Sequence, residues 1–304
     1  MNGKYKPLIS IVTAAYNHER YIQASIMSLI SQDYENLEFI IIDDGSPDST
    51  LSLIHQLEDE CKKRFKRFIV ETQKNSGTVV TLNRGLSFAK GEYIFFFASD
   101  DIAEHSAIST LYNFLSVKSD YALAVGNNRI IDRDSKVCFW DKRLNCVYET
   151  KSAAYLTFMD LQQSLRKDFD MNSAAFGTYR TLIVGNYFPI GILVRKNIMD
   201  QINGFSLSAP LEDLYLMLQI SKIGKMKFLN QVLASYRWHG TNSAKNKKQM
   251  LSMTLKTLQF EKNYCSQNGL MNDWRKYKVK LNIKLFLMRI FDLTCTKPED
   301  KKSS

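Results

Sequence analysis

Gly91-Glu92-Tyr93-Ile94-Phe95-Phe96-Phe97-Ala98-Ser99-Asp100-Asp101 sets an unbroken apolar run directly before two adjacent carboxylates. Such a run reads as a strand buried on both faces, and strands of that kind belong to parallel sheets covered by helices on each side. Ligands of open α/β sheets bind outside the carboxyl ends of the strands, so these acids stand where a ligand or a hard cation would be met. Neighbouring carboxylates repel unless a proton or cation is shared, and Mg²⁺ or Mn²⁺ bridging to phosphate oxygens relieves the repulsion. The same residues also suit a simpler role, capping a helix expected from about residue 104.

The surrounding pattern favours a repeated strand and helix. Residues 8–14 are short, apolar and β-branched, break at Tyr16-Asn17, and precede an amphipathic helix expected over about 19–32. Residues 37–42 form a second buried strand ending in Asp43-Asp44-Gly45-Ser46-Pro47-Asp48, and a helix is expected over about 50–65. A strand at 67–72, a helix at 77–89 and the strand at 92–98 complete the alternation of a doubly wound, mostly parallel sheet. A fifth strand is expected at 121–125, after which the pattern loses clarity to about residue 187 apart from a helical stretch at 156–165. Beyond it come a strand at 190–194, a helix from Glu212 to a stop at Gly224, and a strand from 225 ending in Arg237-Trp238-His239. Segments 249–264 and 277–293 read as helices, although Val279, Leu281, Ile283 and Leu285 alternate with polar residues in a strand-like period. A polar tail from Lys297 is expected to fray.

With 304 residues and 45% hydrophobic composition the chain can bury a sizeable core. The net charge of +10 is unevenly spread, since residues 245–304 carry 14 Lys/Arg against 5 Asp/Glu. The preceding body is close to neutral, at about +1. Cys61, Cys138, Cys146, Cys265 and Cys295 show no metal or redox spacing, and their odd number argues against a disulfide framework and for a reducing cytoplasm. No signal-peptide core and no apolar run of the ~18 residues needed to span a membrane is visible.

Taken in order, Ser10 to Asn17, Asp43-Asp44-Gly45-Ser46, Asn75-Ser76-Gly77, Asn83-Arg84-Gly85, Ala89-Lys90-Gly91, Ser99-Asp100-Asp101, Gly204-Phe205, Glu212-Asp213 and Tyr236-Arg237-Trp238-His239 resemble the family 2 inverting glycosyltransferases of GT-A fold. The resemblance spans residues 8 to about 243. It implies a Rossmann-like nucleotide-sugar half (1–125) and an acceptor half (126–244) within one GT-A domain (1–244), followed by a basic, amphipathic, helical C-terminal region (245–304). It further implies that Tyr16 stacks on the donor base and that Asp44 accepts from a uracil imide, with Asn75, Arg84, Asp100 and Arg237 on the donor's nucleotide side. Asp100, Asp101 and His239 would hold Mn²⁺ or Mg²⁺, and one of Glu212 and Asp213 would be the base, Asp213 preferred. An acid at a helix N-terminus is expected to stay ionised. The sequence departs from the family at Ala98, where the first acid of an Asp-x-Asp motif stands, and at Leu82, where an Arg is common. Arg237 could instead pair with Glu212 or Asp213, while His18, His55 and His105 carry no motif support and read as surface or helix-end residues.

The expected activity is transfer of a hexose or N-acetylhexosamine from a UDP-sugar to a polyprenyl diphosphate-linked sugar in O-antigen or capsular polysaccharide synthesis. The alternative is a non-catalytic sugar-nucleotide binding module. For the basic tail a solvated face, nucleic acid and an anionic membrane are the three readings. Nucleic acid ranks last because no stacking platform or recognition motif is present. Lys276, Lys278, Lys280 and Lys284 beside Phe286, Leu287, Ile290 and Phe291 suit an interfacial helix. The expected location is therefore the inner face of the cell membrane, with the protein peripheral to it.

Overall fold

The computed structural model describes residues 5–240, 242 and 245–295; the tail expected to fray from Lys297, and the side chains of Ile290 and Phe291, lie outside this description. Strands β1 (Ile9–Ala15), β2 (Leu37–Asp43), β3 (Arg67–Thr72) and β4 (Tyr93–Phe96) pair in parallel in the order β3-β2-β1-β4. Their side chains divide between two cores, as strands covered on both faces require. Ile9, Ile11, Phe39, Ile41 and Phe95 enter one, and Val12, Ile40, Ile42, Ile94 and Phe96 enter the other. Gly91 leads into β4 where a Cβ would lie 2.6 Å from the Ser10 amide nitrogen, so only glycine lets the two chains meet there.

Helices α1 (Ile22–Ile30), α2 (Thr50–Gln56), α3 (Glu58–Arg64) and α4 (Thr78–Phe88) connect these strands. The single helix expected over 50–65 is interrupted at Leu57, whose ψ of 8° leaves the helical range. Helix α1 starts later than expected because residues 16–21 form a loop stitched to the loop after β2. In it the Asn17 amide donates to Ser46 Oγ, and the His18 amide donates to Thr50 Oγ1.

The short β5 (Ile102–Ala103) and α5 (Ala107–Ser116) follow, then β6 (Tyr121–Ile131), β7 (Val137–Trp140), β8 (Cys146–Val147), α6 (Phe158–Leu165) and α7 (Tyr179–Leu182). Strand β6 runs six residues past its expected end. Strand β9 (Ile192–Arg195) lies between β4 and β6 and is antiparallel to both, so it interrupts an otherwise parallel run. After α8 (Lys196–Gln201) and α9 (Glu212–Ser221), β10 (Lys225–Arg237) pairs with β6 in parallel, with register shifts near Leu229 and Val232. The sheet is therefore α/β and mostly parallel. The carboxyl ends of β1, β2, β4, β6 and β10 share one edge.

Helices α10 (Lys247–Phe260), α11 (Lys262–Gln267) and α12 (Met271–Cys295) do not form a unit apart from the body. Leu258, Cys265, Trp274 and Leu281 lie in the same core as α9 and β4. Glu261, buried at 2% exposure, pairs with Lys222 at 2.7 Å and accepts from Tyr179 and Gln219. The boundary expected at residue 244 thus does not divide the core. Among the described residues no helix is long and apolar enough to cross a membrane.

Candidate active site at the carboxyl edge of the sheet

Tyr16 follows β1 and is 44% exposed, open to a stacking partner. Asn17 turns the chain behind it with φ of 59°, a conformation that asparagine tolerates better than most residues. Across the gap, Asp44 at the end of β2 is buried and already serves the loop after β3. Its Oδ1 accepts from Gln73 Nε2 (2.8 Å) and the Ser76 amide (2.9 Å), and its Oδ2 accepts from the Gly77 amide (2.8 Å). Burial pushes this carboxyl up, but the hydrogen bonds more than offset it and hold it below the ordinary range. Thr81 adds to these contacts, so the carboxylate is well supplied with donors from its own loop.

Arg84, expected on the donor's side, is instead bound to the scaffold: it pairs with Glu71 (3.0 Å) and donates to Gln73 Oε1 (3.1 Å) and the Thr72 carbonyl oxygen. Its position on the second turn of α4 faces the end of β3, so it orients Gln73 and, through it, Asp44. Asn75 lies exposed in the same loop, between the residues that bind Asp44.

Asp100 and Asp101 part company. Asp101 is 1% exposed and turns inward, where Oδ1 accepts from the Arg237 amide at 2.7 Å. Burial and then the neighbouring charge of Asp100 push its carboxyl well above the ordinary carboxylate range. It therefore does not face the cleft as the expected second acidic metal ligand. Asp100 does face it: Oδ2 meets His239 Nε2 at 3.0 Å, and although burial raises this carboxyl, the His239 hydrogen bond and the two imidazoles bring it below its ordinary value. His239 is held from behind by Asn242, whose Oδ1 accepts from the His239 amide.

The second imidazole is that of His18, the residue that local pattern assigned to the surface. The loop after β1 carries its Nε2 to 3.8 Å from Asp100 Oδ2, and Ser99 Oγ contacts its Nδ1 at 2.7 Å. Burial, first, lowers the affinity of His18 for a proton, and Asp100 only partly restores it. The signal that could have found it is position: it directly follows Tyr16-Asn17 at a strand's carboxyl end. Among the described residues no three His, Cys, Asp or Glu side chains already stand as ligands around one point.

Arg237, expected to contact phosphate, is 1% exposed and held inside. Nε donates to the Asp100 carbonyl oxygen (2.6 Å), and Nη1 donates to the Asp132 carbonyl oxygen (3.1 Å) and Ser135 Oγ (2.9 Å). The guanidinium also lies over the Tyr21 ring at 4.8 Å. Its charge is compensated by Asp101 and Asp100 rather than by Glu212 or Asp213. The reason is the period of β10: position 237 points into the sheet edge, while 236 and 238 face the other way.

Glu212 and Asp213 open α9. Glu212 lines a cleft of about 280 Å³ together with Ser76, Gly77, Thr78 and Leu207, at the N-terminus of α4. Asp213 reaches solvent yet is surrounded by protein atoms; Asn186 Nδ2 donates to its Oδ2 at 2.8 Å, and the Leu214 amide donates to its Oδ1 at 2.6 Å. Desolvation by the surrounding protein atoms, partial for Asp213, pushes both carboxyls above their ordinary values, contrary to the expectation from the helix dipole alone. Tyr236 ties the two acid groups together in space: burial raises its phenol first, and Asp101, Asp100 and Asp213 all raise it further. Neither His18 nor Asn186 was marked by sequence reasoning, and Asn186 sits in the stretch without legible pattern.

This edge thus presents an aromatic face, a satisfied carboxylate, an imidazole-flanked carboxylate and a pair of acids with raised proton affinity. Solved structures share the architecture. The mannosyltransferase PcManGT from Pyrobaculum calidifontis, in complex with GDP-Man and Mn²⁺, superposes with a TM-score of 0.62 at 13% identity, covering 84% of this chain and 64% of that one. S. aureus TarS 1-349, in complex with UDP-GlcNAc, superposes with a TM-score of 0.57 at 14% identity, covering 82% and 66%. At these identities the likeness is one of fold. In sequence, an uncharacterized glycosyltransferase of Haemophilus influenzae is 42% identical over 121 residues, 40% of this chain and 36% of that protein, so the match spans well under two thirds of the relative. The family described as Glycosyl transferase family 2 matches residues 10–187, from the start of β1 through the segment that carries Asn186. Sequence and architecture agree over β1, β2, β4 and β6, and the chain belongs to glycosyl transferase family 2.

Proposed function

We propose that the protein is an inverting transferase that moves a hexose or N-acetylhexosamine from a UDP-sugar to a lipid-linked acceptor sugar during assembly of a bacterial surface polysaccharide. The observation that carries this reading is that Asp213 and Asp100 both act on the phenol of Tyr236 and so lie near one another at this edge, with Asp213 held by Asn186 and raised in proton affinity. Tyr16 offers its exposed face to the base, and the Asp44 carboxylate at the end of β2 is the acceptor we assign to an imide N–H. Asp213 takes the proton of the acceptor hydroxyl as that oxygen attacks the anomeric carbon and the sugar–phosphate bond breaks, its electron pair leaving with UDP. Attack from the face opposite the leaving group inverts the anomeric centre, so an α-linked donor gives a β-glycoside. General-base assistance of this kind contributes about 10²–10⁴-fold. The donor set beside the cleft fits a divalent cation, because ionised Asp100 is flanked by imidazole nitrogens. Asp100 and His239 would hold Mn²⁺ or Mg²⁺, which when bound neutralises the departing diphosphate as a Lewis acid.

The lipid side of the proposal rests on α12. Val279, Ile283, Phe286 and Leu287 are all more than half exposed and recur at helical spacing, with Lys276, Lys280 and Lys284 exposed beside them. An apolar stripe bordered by lysines suits a membrane surface bearing anionic lipid, each basic side chain there contributing about 1 kcal/mol.

The test is release of UDP from a panel of UDP-sugars in the presence of a diphospholipid acceptor and Mn²⁺ or Mg²⁺. Turnover with one donor, lost in excess chelator and reduced at least about 100-fold in Asp213→Asn, is the expected result. UDP-sugar binding without turnover on any acceptor would replace this reading with a sugar-nucleotide binding module.

A further inference from the structure

Arg166, directly after α6, is a buried cation, 9% exposed, to which the reaction above gives no part. Nε and Nη2 donate to the two carboxylate oxygens of Asp168, each at 2.8 Å. Nη1 donates to the Thr181 carbonyl oxygen at 2.9 Å and, at 3.5 Å, to the Gly185 carbonyl oxygen. The guanidinium also lies over the rings of Phe169 at 4.9 Å and Tyr187 at 5.2 Å. A planar fork of five donors can hold several oxygens and a ring in one arrangement. Arg166 thereby grips the chain on both sides of Asn186, at the Gly185 carbonyl before it and the Tyr187 ring after it. A Cβ on Gly185 would stand 3.3 Å from Arg166 Nη1 and 3.5 Å from Tyr277 Oη of α12, so this turn is closed in from two directions. Tyr187 is fixed at its other end, where its hydroxyl accepts from the Gly177 amide at 2.9 Å. Asn186 Oδ1 accepts from the Phe188 amide at 3.3 Å, which leaves its NH₂ end for Asp213 Oδ2 at 2.8 Å.

We infer that Arg166 is a positioning residue for the proton transfer: by clamping the turn around Asn186 it keeps that amide on Asp213 and so aims the carboxylate at the acceptor hydroxyl. The inference rests on the assignment of Asp213 as the base and adds to it a residue that acts through Asn186. The Leu214 amide already holds Asp213 Oδ1, so the Asn186 contact on Oδ2 sets the plane of the carboxyl group. An amide that donates to a carboxylate favours its ionised form, and losing it raises the proton affinity of Asp213 further. Glu212 beside it on α9 and Tyr236 on β10 are the titratable groups that interact with Asp213, and neither is altered in the variants below.

The experiment follows UDP release across pH by the full chain with its donor, a diphospholipid acceptor and Mn²⁺. The parent is compared with Arg166→Met, which keeps an apolar stem beside the two rings, with Asn186→Ala, and with the double variant. Arg166→Met is expected to lower kcat at least about tenfold while the donor KM stays nearly unchanged. It should also move the acid limb of kcat/KM upward by about 0.5–1 pH unit. Asn186→Ala should do the same, and the double variant should go no further, because both changes act on one contact. Asp168→Ala loosens Arg166 from its half-exposed end without emptying the buried position, and should shift the limb the same way by less. It decides the matter where thermal melts show Arg166→Met unfolded. An unmoved acid limb in the folded variants, or additive effects of Arg166→Met and Asn186→Ala, would overturn the inference. If Asp213→Asn is inactive while the limb stays in place in these variants, the base assignment stands and the role of Arg166 fails. Asp213→Asn as active as the parent would remove both.

Discussion

Replacing Arg237 with methionine separates two roles that a strand-end arginine can have. A phosphate contact would be dispensable for folding and costly for nucleotide affinity. The observed side chain is 1% exposed and donates to the Asp100 carbonyl oxygen, the Asp132 carbonyl oxygen and Ser135 Oγ. Methionine keeps the apolar stem but leaves these acceptors short of donors, and it leaves Asp100 and Asp101 without their nearest buried cation. Removing one partner of a buried charge group costs about 3–5 kcal/mol. At roughly 2 °C per kcal/mol for a large domain, Tm falls by about 6–10 °C. Chemical and thermal denaturation of Arg237→Met, Asp101→Asn and the double variant give the coupling directly. The double variant should recover part of the loss, because an uncharged amide in place of the Asp101 carboxyl no longer needs a compensating charge. UDP affinity at a temperature where the variant is folded should change little. A variant as stable as the parent, with UDP affinity lost, would refute the structural role and restore the phosphate contact.

Asp44→Ala leaves the Gln73 amide and the Ser76 and Gly77 backbone amides without their acceptor, so it should lower stability by about 1–3 kcal/mol by denaturation and weaken UDP in calorimetry. An unchanged UDP dissociation constant would argue against a nucleobase role. Because burial raises the proton affinity of Asp213 and Glu212, the folded chain binds protons that the unfolded chain has already released. Stability from these groups therefore falls as pH rises from the ordinary carboxylate range to their folded values, and Asp213→Asn should flatten part of that slope. The acid limb of the kcat/KM profile should correspondingly lie above the ordinary aspartate range, since a base acts only once ionised. Phe286→Asp with Leu287→Asp should abolish sedimentation with anionic vesicles and spare transfer to a short soluble acceptor; equal loss with both acceptors would count against membrane docking by α12.

What residues near each other in sequence decide was legible without a structure. The period of Ile9 to Ala15 and of Leu37 to Asp43, with acids and turn formers directly after them, determines buried parallel strands and the edge at which Asp44 and Asp100 emerge. That logic fails where polar groups are satisfied from afar. Asn127 and Asn128 break the apolar run that would have extended β6, yet they are buried because Thr157, Met159 and Ile190 supply their hydrogen bonds. Alternation over 279–285 looked like a strand, but on α12 it sets Leu281 against the core and leaves Val279 and Ile283 in solvent. At the site itself, sequence placed the charged groups at the edge and tertiary structure alone aimed them. Asp101 turned inward to the backbone amide of Arg237, 136 positions away, and the Arg237 side chain turned inward to the Asp100 and Asp132 carbonyl oxygens and Ser135 Oγ. His18 entered the site because its loop is bound to Thr50 and its ring to Ser99. The direction of a side chain at a strand end depends on which partner compensates its charge or hydrogen bond, and that partner comes from another segment of the chain.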